Sequence, residues 1–289
     1  MDQLLVTVLS GVANGAVYGL VGLGLVIIFQ STDVMNFAMA AMATTAGYVA
    51  LSMVDAGVAL VIALIAAVGF ASMFGLAVRE VLIRPLGEGR LFAALVVTMG
   101  VAIGTEHFVG RHWGEQPKAF PRLLDGSVAI GDSRIQTQDL LVIVVAVLAM
   151  AAVAMLFQRT SLGSAMRAVA ESSETARVLG INSQKVARIA WALGVGLATL
   201  GVLLYAPNVG MTPVVLAPVL FRAFAGILLG GLTSMTGAVV GGLVIGVLDN
   251  LAATYISASF RDTFVFSVAV LVLLVRPQGI FGRQAFVRV

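Results

Sequence analysis

Inside the long apolar stretches of this 289-residue chain, only Glu106, Arg222 and Asp249 are clearly ionisable. A charge at the bilayer centre costs about 2.5–3.5 kcal/mol on insertion scales, so each must face protein or water. Asp249, followed by Asn250, has two readings: part of a gate or solute path, or an ion pair with Arg222 that fixes helix packing. The ion pair is favoured. Glu106 adjoins His107, and His112 lies five residues further on; a metal or proton site there competes with the commoner explanation of polar residues at a helix end. No acidic series suits a proton relay, which argues against a proton-driven transporter or pump. There is no GxxxxGK[ST] phosphate loop, so the chain alone is not expected to hydrolyse a nucleotide.

Neutral polar residues are more numerous: Asn14, Tyr18, Asn36, Thr44, Thr45, Thr98, Asn208, Ser234 and Asn250. Such groups line a path by exchanging hydrogen bonds with a polar solute, or they join helices at roughly 0.6 kcal/mol each. For any one of them alone, helix joining is the safer reading. Asn14, Tyr18, Asn36, Thr98 and Asn250 are carried forward as candidate path residues.

The elements that must hold these groups are membrane helices. The chain is 60% hydrophobic and 11% charged, with mean hydropathy +1.06, against about 45–50% and about 25% in soluble domains. Nine apolar segments stand out, at 4–29, 34–54, 57–78, 91–110, 139–157, 187–206, 212–232, 236–256 and 261–276. They lack barrel alternation, so the expected fold is all-α: a polytopic transmembrane bundle of about eight or nine segments in one domain. Segment 212–232, with Pro213, Pro218 and Arg222, reads as broken or re-entrant, and whether 34–54 and 212–232 cross is open. The first segment is too long for a signal-peptide core and lacks preceding basic residues, so it reads as retained.

Charge sets the orientation. Arg79, Arg84 and Arg90 share one loop; Arg159, Arg167, Arg177, Lys185 and Arg188 share another; Arg276, Arg283 and Arg288 lie at the C-terminal end. Placing all three on the cytoplasmic side puts the N-terminus outside and the C-terminus inside. The net charge of +3 and pI near 9.7 then mark a membrane side and not a nucleic-acid partner. Residues 111–138 fall outside despite four cations, and there Ser127 to Thr137 suggests a hairpin about Gly131-Asp132. It is a docking surface or a lid over helix ends. The glycine-rich runs 11–24 and 226–246 suit close helix packing, with a duplicated half as the alternative.

Arg159 to Arg188 interrupts the apolar pattern. Leu162, Ala165, Met166, Val169 and Ala170 recur at helical spacing, with Ser164, Arg167 and Glu171 opposite, which predicts a short amphipathic helix. Gly180 suits a left-handed helix terminus and Asn182 an N-cap, so a new helix leads back into the bilayer.

This stretch, TSLGSAMRAVAESSETARVLGINSQKVARIAWALG, resembles the cytoplasmic coupling region of permease subunits of branched-chain amino acid ABC importers, the Liv-type family. Gly163, Arg167, Ala168, Ala176, Gly180 and Ile181 stand at the matching places. The opening GVANGAVYGLVGLGLVIIFQSTDVMNFA and the closing GGLTSMTGAVVGGLVIGVLDN and LVLLVRPQGIFGR are similar to the family's end helices. The pattern is closer to the H-type subunit than to its longer M-type partner. The resemblance implies a multi-pass permease of a bacterial or archaeal cytoplasmic membrane, working with a second permease, two cytoplasmic ATPase subunits and an extracytoplasmic solute-binding protein. ATP and Mg would serve those ATPases, with no cofactor or metal bound by this chain and no catalytic role for it. Met166 and Val169 are the expected apolar docking face, with Arg167 and Glu171 at its rim. After Asn36-Phe37-Ala38 the family commonly continues His-Gly, whereas this chain has Met39-Ala40. That turn brings Phe37 into the candidate path and suggests altered solute choice, since similar proteins carry urea or short amides. An ATP-independent channel and a membrane-embedded enzyme acting on lipid are the remaining alternatives.

Overall fold

The computed structural model describes residues 2–87, 89–131 and 133–282. Asp132 at the expected hairpin turn, and the C-terminal cations Arg283 and Arg288, lie outside the described residues. Helices α1 (Asp2–Thr32), α2 (Met39–Asp55), α3 (Leu60–Val78) and α4 (Leu91–Trp113) open the chain, followed by strands β1 (Ser127–Ile130) and β2 (Ser133–Gln136). Then come α5 (Thr137–Arg159), α6 (Ser161–Glu171), α7 (Ser173–Val178), α8 (Ser183–Val209), α9 (Ala217–Gly230), α10 (Met235–Tyr255) and α11 (Arg261–Val275). Each apolar segment forms one helix, and the polar interruption forms the short pair α6 and α7. The fold is all-α and polytopic.

Among the described residues, six helices are long and apolar enough to cross a membrane: α1, α3 with its continuation to Leu86, α4, α5, α8 and α10. Helix α9 has 14 residues, about 21 Å at about 1.5 Å per residue, short of a hydrocarbon core of roughly 30 Å. The chain before it, 210–216, is not helical. The segment 212–232 is therefore broken, as its prolines suggested. Helix α2, with 17 residues, is also short, because its first residues form the non-helical turn 33–38.

The chain divides into two compact units, 1–26 with 122–147 and 218–289, and 27–121 with 148–217. In the first, glycines bring backbones together. A Cβ on Gly15 would lie 2.8 Å from Leu243 Cα, and one on Gly226 would lie 2.9 Å from the Gly242 nitrogen. One on Gly242 would meet the Gly19 nitrogen at 2.5 Å. Helices α1, α9 and α10 thus touch main chain to main chain, the small-residue packing that membranes favour. Strands β1 and β2 pair antiparallel, with Val128 opposite Ile135. The C-terminal stretch returns to this unit, Ile280 N–H donating to Leu229 O and Phe281 N–H to Gly230 O, both at 2.9 Å.

In the second unit α3 and α8 approach closely: a Cβ on Gly75 would lie 2.7 Å from Val195 Cγ2, and one on Gly196 2.9 Å from Ser72 Oγ. Trp191 is fully buried. At one end, Trp113 Nε1–H donates to Ser52 Oγ at 2.7 Å. Lys118 and Met211 exchange reciprocal backbone bonds of 2.9 and 2.8 Å. At the other end, a π-helical turn, Arg79–Ile83, continues α3.

Candidate functional site

Three groups of side chains gather the residues singled out in the sequence. The first surrounds Asp249 in the first unit. Arg222 Nε stands 3.1 Å from Asp249 Oδ1 and Arg261 Nη2 3.0 Å from Oδ2. The Tyr18 hydroxyl donates to Oδ2 at 3.0 Å. Arg222 also donates through Nη2 to Asp262 Oδ1 at 2.5 Å. Asp249 is fully buried and Arg222 5% exposed, so the two arginines balance the two carboxylates where an isolated charge would be prohibitive. The ion-pair reading of Asp249 and Arg222 holds. Beside them Asn14 Nδ2 donates to Asn250 Oδ1 at 3.2 Å, and Asn250 Nδ2 to Thr7 O at 3.3 Å. Asn14, Tyr18 and Asn250 therefore act here as helix joints between α1 and α10.

The second group lies at the turn 33–38. Asn36 is fully buried, and its Oδ1 accepts the Ala38 N–H at 3.1 Å, fixing the amide at the start of α2. Its Nδ2 has no hydrogen-bond partner among the described residues. The Thr98 hydroxyl donates to Leu95 O at 2.9 Å and stands 3.5 Å from Met35 O. Phe37 is half-buried beside Asn36. The six path candidates thus fall into two sets of three, one in each unit.

The third group is the interruption between α5 and α8. Thr160 Oγ1 accepts the Gly163 N–H at 3.0 Å and caps α6; a Cβ on Gly163 would collide with the Leu156 and Phe157 main chain. Ser172 Oγ accepts from Thr175 N at 3.2 Å to start α7. Gly180, at φ +82°, closes it, with Ile181 N–H reaching Ala176 O at 2.9 Å, an αL terminus that glycine adopts without Cβ strain. Asn182 Oδ1 then accepts from Lys185 N at 2.9 Å and starts α8. The Gly180 terminus and the Asn182 cap follow the sequence pattern; the Thr160 and Ser172 caps add to it.

The apolar stripe expected to be a docking face is not open to a partner. Met166 and Val169 are 1% and 5% exposed, and Gly163 and Ala176 are buried with them. They are covered by their own chain, so the expected apolar docking face is the face that holds α6 in place. Ala168 is half-buried, and Ala170, assigned to the apolar side, is exposed with Ser164, Arg167 and Glu171. The exposed apolar residues are instead Val178 and Leu179, at 87% and 73%. They end α7 directly before Gly180.

The base of α8 is joined to α3 by a second charged cluster that sequence reading missed. Glu80 takes Arg188 Nε at 3.0 Å and Arg84 Nη1 at 2.9 Å, and also pairs with Arg79. Arg79, 4% exposed, passes on to Gln184 Oε1 at 2.5 Å. At the far end of α4, His112 stacks on Phe108 with ring centroids 5.9 Å apart and meets Trp113 edge-on at 4.4 Å. That is aromatic packing at a helix end.

The family model described as branched-chain amino acid transport system / permease component matches residues 7–275. The chain is 30% identical to the high-affinity branched-chain amino acid transport system permease protein LivH of Escherichia coli K12, over 95% of this chain and 94% of that one. It is 29% identical to the permease protein BraD of Pseudomonas aeruginosa over the same shares. A shorter match, 30% identity over 44% of this chain and 43% of the relative, links it to a probable LivH of Methanocaldococcus jannaschii. Among solved structures, a chain of PsaBC from Streptococcus pneumoniae in complex with Fab aligns at TM-score 0.49 and 13% identity, covering 94% and 89%. With multiple apolar helices and a family model spanning nearly its whole length, this multi-pass membrane protein belongs to the family of branched-chain amino acid transport system permease components.

Proposed function

We propose that this chain is the transmembrane permease subunit of an ATP-driven, binding-protein-dependent importer of branched-chain amino acids. Two cytoplasmic ATPase subunits, a second permease and an extracytoplasmic solute-binding protein complete it. The observation that carries this reading is the pair Val178 and Leu179, two large apolar side chains left in the open on a polar segment between membrane helices. A soluble partner is the natural cover for such a patch. Arg167 and Glu171, exposed on α6, supply its charged rim, while Gly163, Met166, Ala168, Val169, Ala176 and Gly180 hold its shape.

The path of the push follows from the contacts. Asn182 caps α8 directly behind the docking tip, and Glu80 and Arg79 tie the first turns of α8 to α3. The close packing of α3 and α8 at Gly75 and Gly196 supports their moving as one body. Movement at the tip therefore reaches the membrane helices of the second unit without slack, a packed element of the kind coupling needs. The same contacts support the orientation: the loop 79–90 and residues 182–188 share one side, and Trp113, Ser52, Lys118 and Met211 share the other. The first side carries the cation-rich loops and is assigned to the cytoplasm, in keeping with the expected orientation of N-terminus outside and C-terminus inside.

The test replaces Val178 and Leu179 by aspartate and purifies the tagged chain gently from its membrane. Wild type is expected to retain ATPase subunits and a second permease. The double variant should remain inserted, lose the ATPase subunits, and lose uptake by at least tenfold. Undiminished ATPase retention and uptake would remove the docking assignment, and wild type recovered alone would remove the importer.

A further inference from the structure

Resting on the importer reading, we propose that Asn36 Nδ2 and the first turn of α2 form a binding site for the α-carboxylate of the transported amino acid. Asn36 is completely buried, yet its Nδ2 lacks an acceptor among the described residues. The amide cannot rotate to relieve this, since Oδ1 is held by the Ala38 N–H at 3.1 Å. A buried donor left unpaired loses its full hydration, which is why buried donors nearly always find a partner. An acceptor that comes and goes resolves the conflict.

The surroundings point to an anionic acceptor. Helix α2 runs 17 residues, and no side chain caps its N-terminus. Met39 N–H reaches Asn36 O at 3.3 Å and Met42 N–H reaches Ala38 O at 2.9 Å. Between them lie Ala40 and Ala41, whose first-turn N–H groups helix geometry leaves without intrahelical acceptors. These donors and the positive end of the helix dipole favour a carboxylate. Asn36 adds a side-chain donor fixed at that same end.

The site lies at membrane depth. Thr98, which stands against Met35 O, is seven residues into α4, about 10 Å along it at about 1.5 Å per residue. Non-helical backbone at that depth persists where protein or a water-filled path surrounds it, and half-helix N-termini facing a path bind anionic solute groups. Asn36, Phe37 and Thr98 are brought together here. Since Asn36 is sealed from solvent in this conformation, the carboxylate meets it in the open one. The solute's apolar side chain and amine are left to other parts of the path.

The test uses the complete reconstituted complex and two readouts. In liposomes, Asn36→Asp keeps the oxygen that holds Ala38 N–H but replaces the donor by a charge that repels a carboxylate. ATP-dependent L-leucine uptake should fall at least tenfold while assembly and basal ATP hydrolysis persist. Uptake within twofold of wild type would overturn the site while leaving the importer intact; wild type without ATP-dependent uptake would overturn both. The second readout stands even where that variant fails to assemble. The chain has no cysteine, so Phe37→Cys introduces the only thiol on it, and alkylation is followed by mass spectrometry. L-Leucine should slow the reaction at least fivefold and leucinamide should not. Equal protection by both, or protection by neither, overturns a carboxylate site.

Discussion

Replacing Arg222 by methionine isolates the ion cluster of the first unit. The change removes the cation 3.1 Å from Asp249 Oδ1 while keeping most of the apolar stem. Asp249, wholly buried, is left with Arg261 and the Tyr18 hydroxyl. Breaking one member of a buried pair typically costs about 3–5 kcal/mol, and the two remaining partners set the expectation at the low end, about 3 kcal/mol. Asp262 loses its partner cheaply because it is 62% exposed. Asp249→Asn discharges the centre but keeps an acceptor for Tyr18, and Arg222 retains Asp262, so about 2 kcal/mol is expected. Were the two residues independent, the double variant would lose about 5 kcal/mol. If they are one pair, the double variant leaves only the partly exposed Arg261 and Asp262 without their former partners and no fully buried charge, and loses about 3, a coupling of about 2 kcal/mol. The assay is equilibrium unfolding of the purified chain in mixed micelles, followed by helical signal against denaturing-detergent fraction. Additivity within about 0.5 kcal/mol would refute the pairing.

Two further perturbations test the skeleton around the site. Glu80→Gln leaves Arg79, Arg84 and Arg188 facing one another without a carboxylate, so the base of α8 should loosen from α3. Protease cleavage within 180–188 should rise several-fold and uptake should fall with ATPase subunits still bound; unchanged cleavage would show that the cluster carries no load. Gly242→Leu drives a side chain into the Gly19 main chain, and the folded chain should fail to accumulate in membranes. Normal accumulation on an immunoblot would contradict the backbone-to-backbone seam.

The nine apolar helices among the described residues were legible because helices that avoid water appear in a sequence as uninterrupted apolar runs, and each run holds one helix. Local punctuation was legible too. Asn182 caps the helix that follows it, and Gly180 takes the positive φ its position predicted, while Thr160, Ser172 and Ser234 cap helices in the same way without having been singled out for it. Such signals are contained in a few neighbouring residues. Pairings across the chain were less accessible. Asp249 with Arg222 could be inferred because intramembrane charges are so few that each restricts the other's options. Arg261, Asp262 and Glu80 escaped notice because they stand at helix ends, where charges ordinarily face water and a sequence gives no reason to pair them.

The apolar stripe of α6, expected to meet a partner, is covered by the chain itself for a reason intrinsic to amphipathic helices. A stripe of Met166 and Val169 states that one face of α6 avoids water, and says nothing about what covers it. In a peripheral helix leaning on membrane helices, the chain itself has first claim. Gly163 shows which cover won, since it brings α6 against the main chain of Leu156 and Phe157, closer than any larger residue permits. A partner that binds and releases in a cycle must instead find apolar surface that the chain does not need for itself. Val178 and Leu179 meet that condition: their neighbour Ala176 anchors α7, Gly180 turns the chain away, and the two side chains between them are left uncovered. On the docking proposed for Val178 and Leu179, an exchangeable contact would sit where the fold draws no stability from it, whereas the permanent contact lies where the helix is most amphipathic.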